Sequence, residues 1–139
     1  MPSPDQLPAH PPHRRGTPVE VVVGILDDLG AVPLVHTALA EALARRGSVR
    51  VVRVLPPGSA PHEVLAADSL AYAVTRAAWE DGVTVPSTFE VAVGDPVEVL
   101  TERARDATLL VVGADRDGST VAQRCRESGA CTVMTVDVG

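Results

Sequence analysis

At 139 residues, 45% of them hydrophobic and 2% aromatic, the chain suits a single domain with a core of Val, Leu and Ala that needs no metal or disulfide. A formal net charge of -6, with no aromatic platform for bases, argues against nucleic acid as a partner. All twelve basic residues are Arg, which excludes a Walker A loop, a Schiff base and the signalling lysine of a response-regulator receiver.

No apolar run is long enough to span a membrane and no secretory h-region opens the sequence, so a cytoplasmic protein without a membrane partner is expected. Cys125 and Cys131 lack the CxxC spacing of a redox or zinc site and read as reduced structural thiols.

Residues 1–18 are proline-rich and hold almost nothing to bury, which predicts a disordered arm ahead of a folded domain over residues 19–139. His10 and His13 flank a Pro-Pro pair in that arm and read as solvated side chains. Residues 20–26 (EVVVGIL) form a buried strand, followed by the polar loop of Asp27, Asp28, Leu29 and Gly30. Pro33 suits a first helical turn, and Val35, Leu39, Ala42 and Leu43 share one face until Arg45, Arg46 and Gly47 stop the helix. His36 lies one residue from that face with no second ligand a turn away, so a boundary histidine is expected.

Residues 48–55 (SVRVVRVL) read as a strand that is less apolar than the first and so lies away from the sheet centre; Pro56, Pro57 and Gly58 end it. The spacing predicts a helix over residues 61–81 with Val64, Leu65, Ala71, Val74 and Ala78 inward, and with Tyr72 and Trp79 on a shared side that closes it against the sheet. A strand follows over residues 89–93. Asp95, Pro96 and Glu98 then suit the N-cap, N1 and N3 positions of a helix that turns Val97, Leu100 and Ala104 inward and leaves Glu98, Glu102 and Arg103 to solvent. Residues 109–112 are an uninterrupted aliphatic run, the pattern of a parallel strand covered on both faces, and a polar glycine loop leaves its end. A short helix over residues 120–128 has Thr120 as N-cap, Gln123 at N3 and Gly129 as its left-handed stop, and residues 131–138 (CTVMTVDV) are the last strand. Five rounds of this alternation imply a single open parallel five-stranded sheet, Rossmann-like, with right-handed crossovers and helices on both faces.

The combination GDPVEVL, then ATLLVVG, then a Ser-Thr-Val helix start and a closing CTVMTV resembles the universal stress protein family over about residues 20–138. The resemblance implies the strand order 3-2-1-4-5 of the adenine nucleotide alpha hydrolase-like fold, and a homodimer formed through the last strand, with Cys131 and Val138 at its ends. An uncovered last strand is an edge that another copy can protect by pairing. The implied order puts the switch point between strands 1 and 4, so the loops at Asp27 and Gly113 face one crevice.

In the family's ATP-binding branch an aspartate ends the first strand, a backbone position in the second holds adenine, and a long glycine loop wraps the phosphates. Here the aspartate position falls on Leu26, the adenine position on Val54 and the first loop glycine on Gly113. The second loop glycine falls on Arg116, most of the long segment is missing, and Ser119 and Thr120 stand at the closing pair. Val54, Gly113, Ser119 and Thr120 are therefore the candidate nucleotide-binding positions. Asp27, Asp28, Asp115 and Asp117 surround the same crevice, with Arg116 the one cation nearby in sequence. A carboxylate about 4 Å from a phosphate charge costs on the order of 1 to 4 kcal/mol, so a few outweigh one arginine.

Three functions are consistent with these residues. One is a non-catalytic regulatory or binding module of the universal stress type with a degenerate triphosphate site, taking a partner protein, a nucleoside or a monophosphate such as AMP. A second keeps ATP, with Val54 at the adenine, Gly113, Ser119 and Thr120 at the phosphates and the last helix lending its positive end. A third gathers Asp27, Asp28, Asp115 and Asp117 around Mg2+ or Ca2+, with metal-assisted phosphate hydrolysis as the activity. No histidine approaches either cysteine in the expected topology, and no catalytic residue is assigned.

Overall fold

The computed structural model describes residues 18–80, 82, 84–116 and 118–138, so most of the expected N-terminal arm lies outside the described residues. Nine elements alternate: β1 (Glu20–Ile25), α1 (Ala31–Ala44), β2 (Ser48–Leu55), α2 (Pro61–Glu80), β3 (Ser87–Val93), α3 (Pro96–Ala104), β4 (Leu109–Gly113), α4 (Val121–Ser128) and β5 (Thr132–Val136). The strands form one parallel sheet in the order β3-β2-β1-β4-β5. β1 is central because it is apolar on both sides, and Val23 stands between Val51 of β2 and Val111 of β4.

Alternate residues divide the core in two. Val21, Val23 and Ile25 join Val49, Val51, Leu109 and Val111 beneath α1 and α2, whereas Val22, Val52, Val54, Leu110 and Val112 pack against α3 and α4. Val21, Val22 and Val23 are fully buried, and burial of each such side chain stabilises by about 1.5–3 kcal/mol before entropy is counted. Gly24 continues the second face, and an added Cβ there would lie 2.7 Å from Leu100 of α3. Among the described residues no helix is long and apolar enough to cross a membrane.

The helices depart from expectation at several residues. Leu43 does not join the inner face of α1 and is 51% exposed. Leu34, Val35, Ala38, Leu39 and Ala42 form that face, and Leu43 follows Ala42 by one residue, about 100° round the helix. The left-handed residue that ends α1 is Arg46 at φ 56°, not Gly47. Gly47 donates to the Ala42 carbonyl at 2.8 Å and Arg46 to that of Leu43 at 3.2 Å, a Schellman ending with Arg46 at C′.

In α2, Leu65 points outward at 69% exposure, and Ala67, Ala71, Thr75 and Ala78 make the buried stripe. Thr75 is accommodated there because its hydroxyl donates to the Ala71 carbonyl at 2.9 Å. Tyr72 meets Phe89 of β3 edge-on, at 5.7 Å between ring centroids, while Trp79 packs on the core, so the aromatic pair does close this helix on the sheet. β3 begins two residues earlier than the sequence suggested, at Ser87.

A further departure is Arg103 of α3. It is not simply solvated but grips Glu90 of β3 through Nε and Nη2. The rest of α3 follows its sequence closely, with Asp95 accepting from the Glu98 amide at 3.0 Å and Pro96 as the first helical residue.

Candidate functional site

The C-terminal ends of the strands open onto a cleft with two lobes. A polar lobe of about 260 Å3 lies between β1 and β4, where Gly24, Leu26 and Asp27 face Gly113, Ala114 and Asp115, and Arg116, Ser119 and Val121 complete the wall. A second lobe of about 250 Å3 lies over the ends of β2 and β3, lined by Val54, Leu55, Pro56, Pro57, Gly94, Asp95 and Pro96. Leu26 borders both lobes. The first lobe sits at the switch point, where β1 is flanked by strands whose connections leave in opposite directions.

Close backbone packing shapes the polar lobe. Gly30 and Gly113 both stand against Val138, which would lie 3.5 Å from a Cβ added at either position. Asp27 turns its Oδ1 back to accept from the Gly30 amide at 3.0 Å, which fixes the loop that enters α1. Asp28 points away and pairs with Arg53 of β2 at 2.7 Å. Arg53 is the cation that local sequence reading missed, because it lies 25 positions from its partner and β2 carries a second arginine, Arg50, that nothing in the sequence distinguishes from it. Its Nε is buried without a hydrogen-bond partner among the described residues.

The start of α4 differs from the expected capping box. Thr120 occupies the N-cap position, yet its side chain makes no capping bond. Asp115 caps the helix instead, its Oδ1 accepting from the Ala122 amide at 2.8 Å and its Oδ2 from the Gln123 amide at 2.9 Å. The Ser119 hydroxyl lies 3.4 Å from Asp115 and 3.5 Å from the Val121 amide. The Val121, Ala122 and Gln123 amides of the first turn, which have no partner within the helix, thus all have partners elsewhere in the chain. Partial burial acts to raise the Asp115 carboxyl, but the two amides, the Ser119 hydroxyl and the charge of Arg126 outweigh it and hold the group below its ordinary value. Gln123, expected to complete the box, bonds Glu127 at 3.0 Å through its side chain.

The structure thus brings Gly113 and Ser119 to the polar lobe and Val54 to the apolar lobe, but Thr120 lines neither. Of the carboxylates considered for a cation, Asp27 and Asp115 face the polar lobe, Asp28 is paired with Arg53, and Asp117 lies outside the described residues. Among the described residues no group of three or more acidic, histidine or cysteine side chains is disposed to hold a metal ion. Cys125 is buried and Cys131 partly so. Burial pushes both thiols up, away from the reactive thiolate.

No family model matches the chain, and no curated protein matches it either. Solved structures do. A universal stress protein in complex with cAMP aligns with a TM-score of 0.70 at 24% identity, over 88% of this chain and 99% of that one. The universal stress protein from Archaeoglobus fulgidus in complex with dAMP aligns with a TM-score of 0.70 at 21% identity, over 87% and 99%. A protein of the same family from Burkholderia pseudomallei gives 0.61 at 21% identity, over 88% and 98%. The chain has the fold of the universal stress proteins, across nearly the whole of each of these structures.

Proposed function

We propose that the protein is a non-catalytic binding module of the universal stress type, whose cleft takes an adenine nucleoside or nucleoside monophosphate and has lost its seat for a triphosphate. The observation that carries this is a pair of neighbouring pockets, an apolar one with Val54 on its wall and a polar one at the switch point between β1 and β4, with Leu26 lining both. A purine suits the apolar lobe, because apolar walls reward ring burial while strand-end backbone groups offer hydrogen bonds. A ribose suits the polar lobe, where Asp27 and backbone groups can meet hydroxyls. The likeness to structures holding cAMP and dAMP supports an adenine ligand that carries no chain of phosphates. Only seven residues separate Gly113 from the first residue of α4, and several amides would have to converge there to cradle a chain of phosphates.

A homodimer through β5 belongs to the same proposal, since among the described residues this strand has no partner on its outer side.

Calorimetric titration with adenosine, AMP and ATP, the last with and without Mg2+, tests the ligand. Adenosine or AMP should bind, and ATP should bind more weakly than either. Submillimolar binding of ATP with Mg2+ would overturn the proposal.

A further inference from the structure

We infer that Asp115 sets the charge the cleft accepts: its carboxylate is a fixed anion in the polar lobe that disfavours phosphoryl groups, so the preferred ligand presents an uncharged or cationic group there. The inference rests on the cleft being the ligand site, and it goes further by ranking a nucleoside above its own monophosphate.

Three features combine. Asp115 lines the polar lobe, where a ligand's 5′ substituent would lie if a base filled the lobe beside Val54. Both of its oxygens are held in place by the Ala122 and Gln123 amides, so the carboxylate cannot swing aside without uncapping α4. A helix start usually welcomes an anion, but here the anion is already supplied by the chain and the helix dipole is spent on it. Asp27, held on the Gly30 amide, adds a second carboxylate to the same lobe, against the guanidinium of Arg116 among the described lining residues. An entering phosphate would have to displace Asp115 from its amides or bear its charge at close range. A neutral hydroxyl or a cationic arm faces no such conflict and can donate to the carboxylate.

The test uses the full chain as wild type, Asp115→Asn and Asp115→Ser, with adenosine, AMP and inorganic pyrophosphate as probes. Asn keeps a side-chain oxygen for α4 while removing the charge, and Ser vacates the amides. The ratio of AMP to adenosine affinity should rise about tenfold or more in Asp115→Asn, whichever way adenosine affinity itself moves. Millimolar pyrophosphate should raise the melting temperature of both variants and leave wild type unmoved. An unchanged AMP ratio, or no response to pyrophosphate in a cooperatively folded Asp115→Asn protein, overturns the inference. Failure of adenosine to bind any of the three defeats the nucleoside proposal instead, and the pyrophosphate arm still decides the role of Asp115. Should both variants fail to fold, the wild type suffices: raising NaCl from about 0.02 M to about 0.3 M should strengthen AMP binding relative to adenosine by screening the repulsion. A fall in that ratio would reverse the sign of the effect and overturn the inference.

Discussion

Arg46 and Gly47 show how one position can invert the meaning of a residue. A glycine just past a helix usually supplies the left-handed turn, but here Arg46 takes it at φ 56° while Gly47 serves a packing contact. A Cβ at Gly47 would lie 2.6 Å from the Val19 carbonyl oxygen, which itself accepts from the Ser48 amide at 3.0 Å and so cannot retreat. Gly47→Ala should therefore lower stability by about 1–3 kcal/mol through overpacking. Arg46→Gly should raise it by about 0.5–1 kcal/mol, because the left-handed region costs a glycine nothing in sterics. Urea unfolding of the two variants checks both signs; a stabilised Gly47→Ala protein would contradict the packing role. A Gly after two arginines was legible as a stop, but the one-residue shift was not, since it depends on a contact with a residue 28 positions earlier. Asp115 was hidden for the same reason. It caps α4 from seven positions before Ala122, across a reversal of the chain that no local capping rule anticipates.

The elements themselves were largely legible, because apolar runs and caps are short-range signals. α3 shows this best: Asp95, Pro96, Val97, Leu100 and Ala104 all do what their spacing implied. What spacing could not show was where the solvent face of α3 would land. Arg103 meets Glu90 because α3 crosses towards the β3 edge, and with both side chains partly buried the pair ties helix to edge strand. The Arg103 hydrogen bonds are the main influence on the Glu90 carboxyl and hold it below its ordinary 4.5, with burial opposing and the charge of Arg103 assisting. A folded-state value below the unfolded one contributes stability that is present above the ordinary glutamate range and lost as pH falls through the lower, folded value. Glu90→Gln should thus cost about 1 kcal/mol at pH near 7, consistent with a bidentate but partly exposed pair. The difference from wild type should shrink as pH drops below 4.5 and vanish once Glu90 is protonated in both states. Urea midpoints measured across pH 3 to 7 check this, and a cost that persists undiminished at the acid end would assign Glu90 a role other than its charge.

At the scale of the whole molecule the two sheet edges are unlike each other, and the difference decides where a second copy would join. The β3 edge carries Glu90, engaged by Arg103, and its neighbouring surface is built from charged side chains of α3. β5 reads TVMTV without a charge, and Val133, Met134, Thr135 and Val136 are all half-buried in the single chain. Two copies related by a two-fold axis near Met134 would pair their β5 strands antiparallel, complete the unpaired backbone groups and cover these side chains, with no like charge brought together in the strand. Placing Glu at both 133 and 135 sets carboxylates opposite each other across that axis, because position 133 of one strand faces 135 of the other. Sedimentation velocity should show the wild type as a dimer and the Val133→Glu, Thr135→Glu protein as a monomer with its circular dichroism intact. The paired substitution is the sharper test, since the Thr135 hydroxyl accepts from Arg126 at 3.3 Å, a contact that a carboxylate there can still make. A wild type that stays monomeric at concentrations well above micromolar would remove β5 as an interface, while leaving the cleft at the opposite side of β4 untouched.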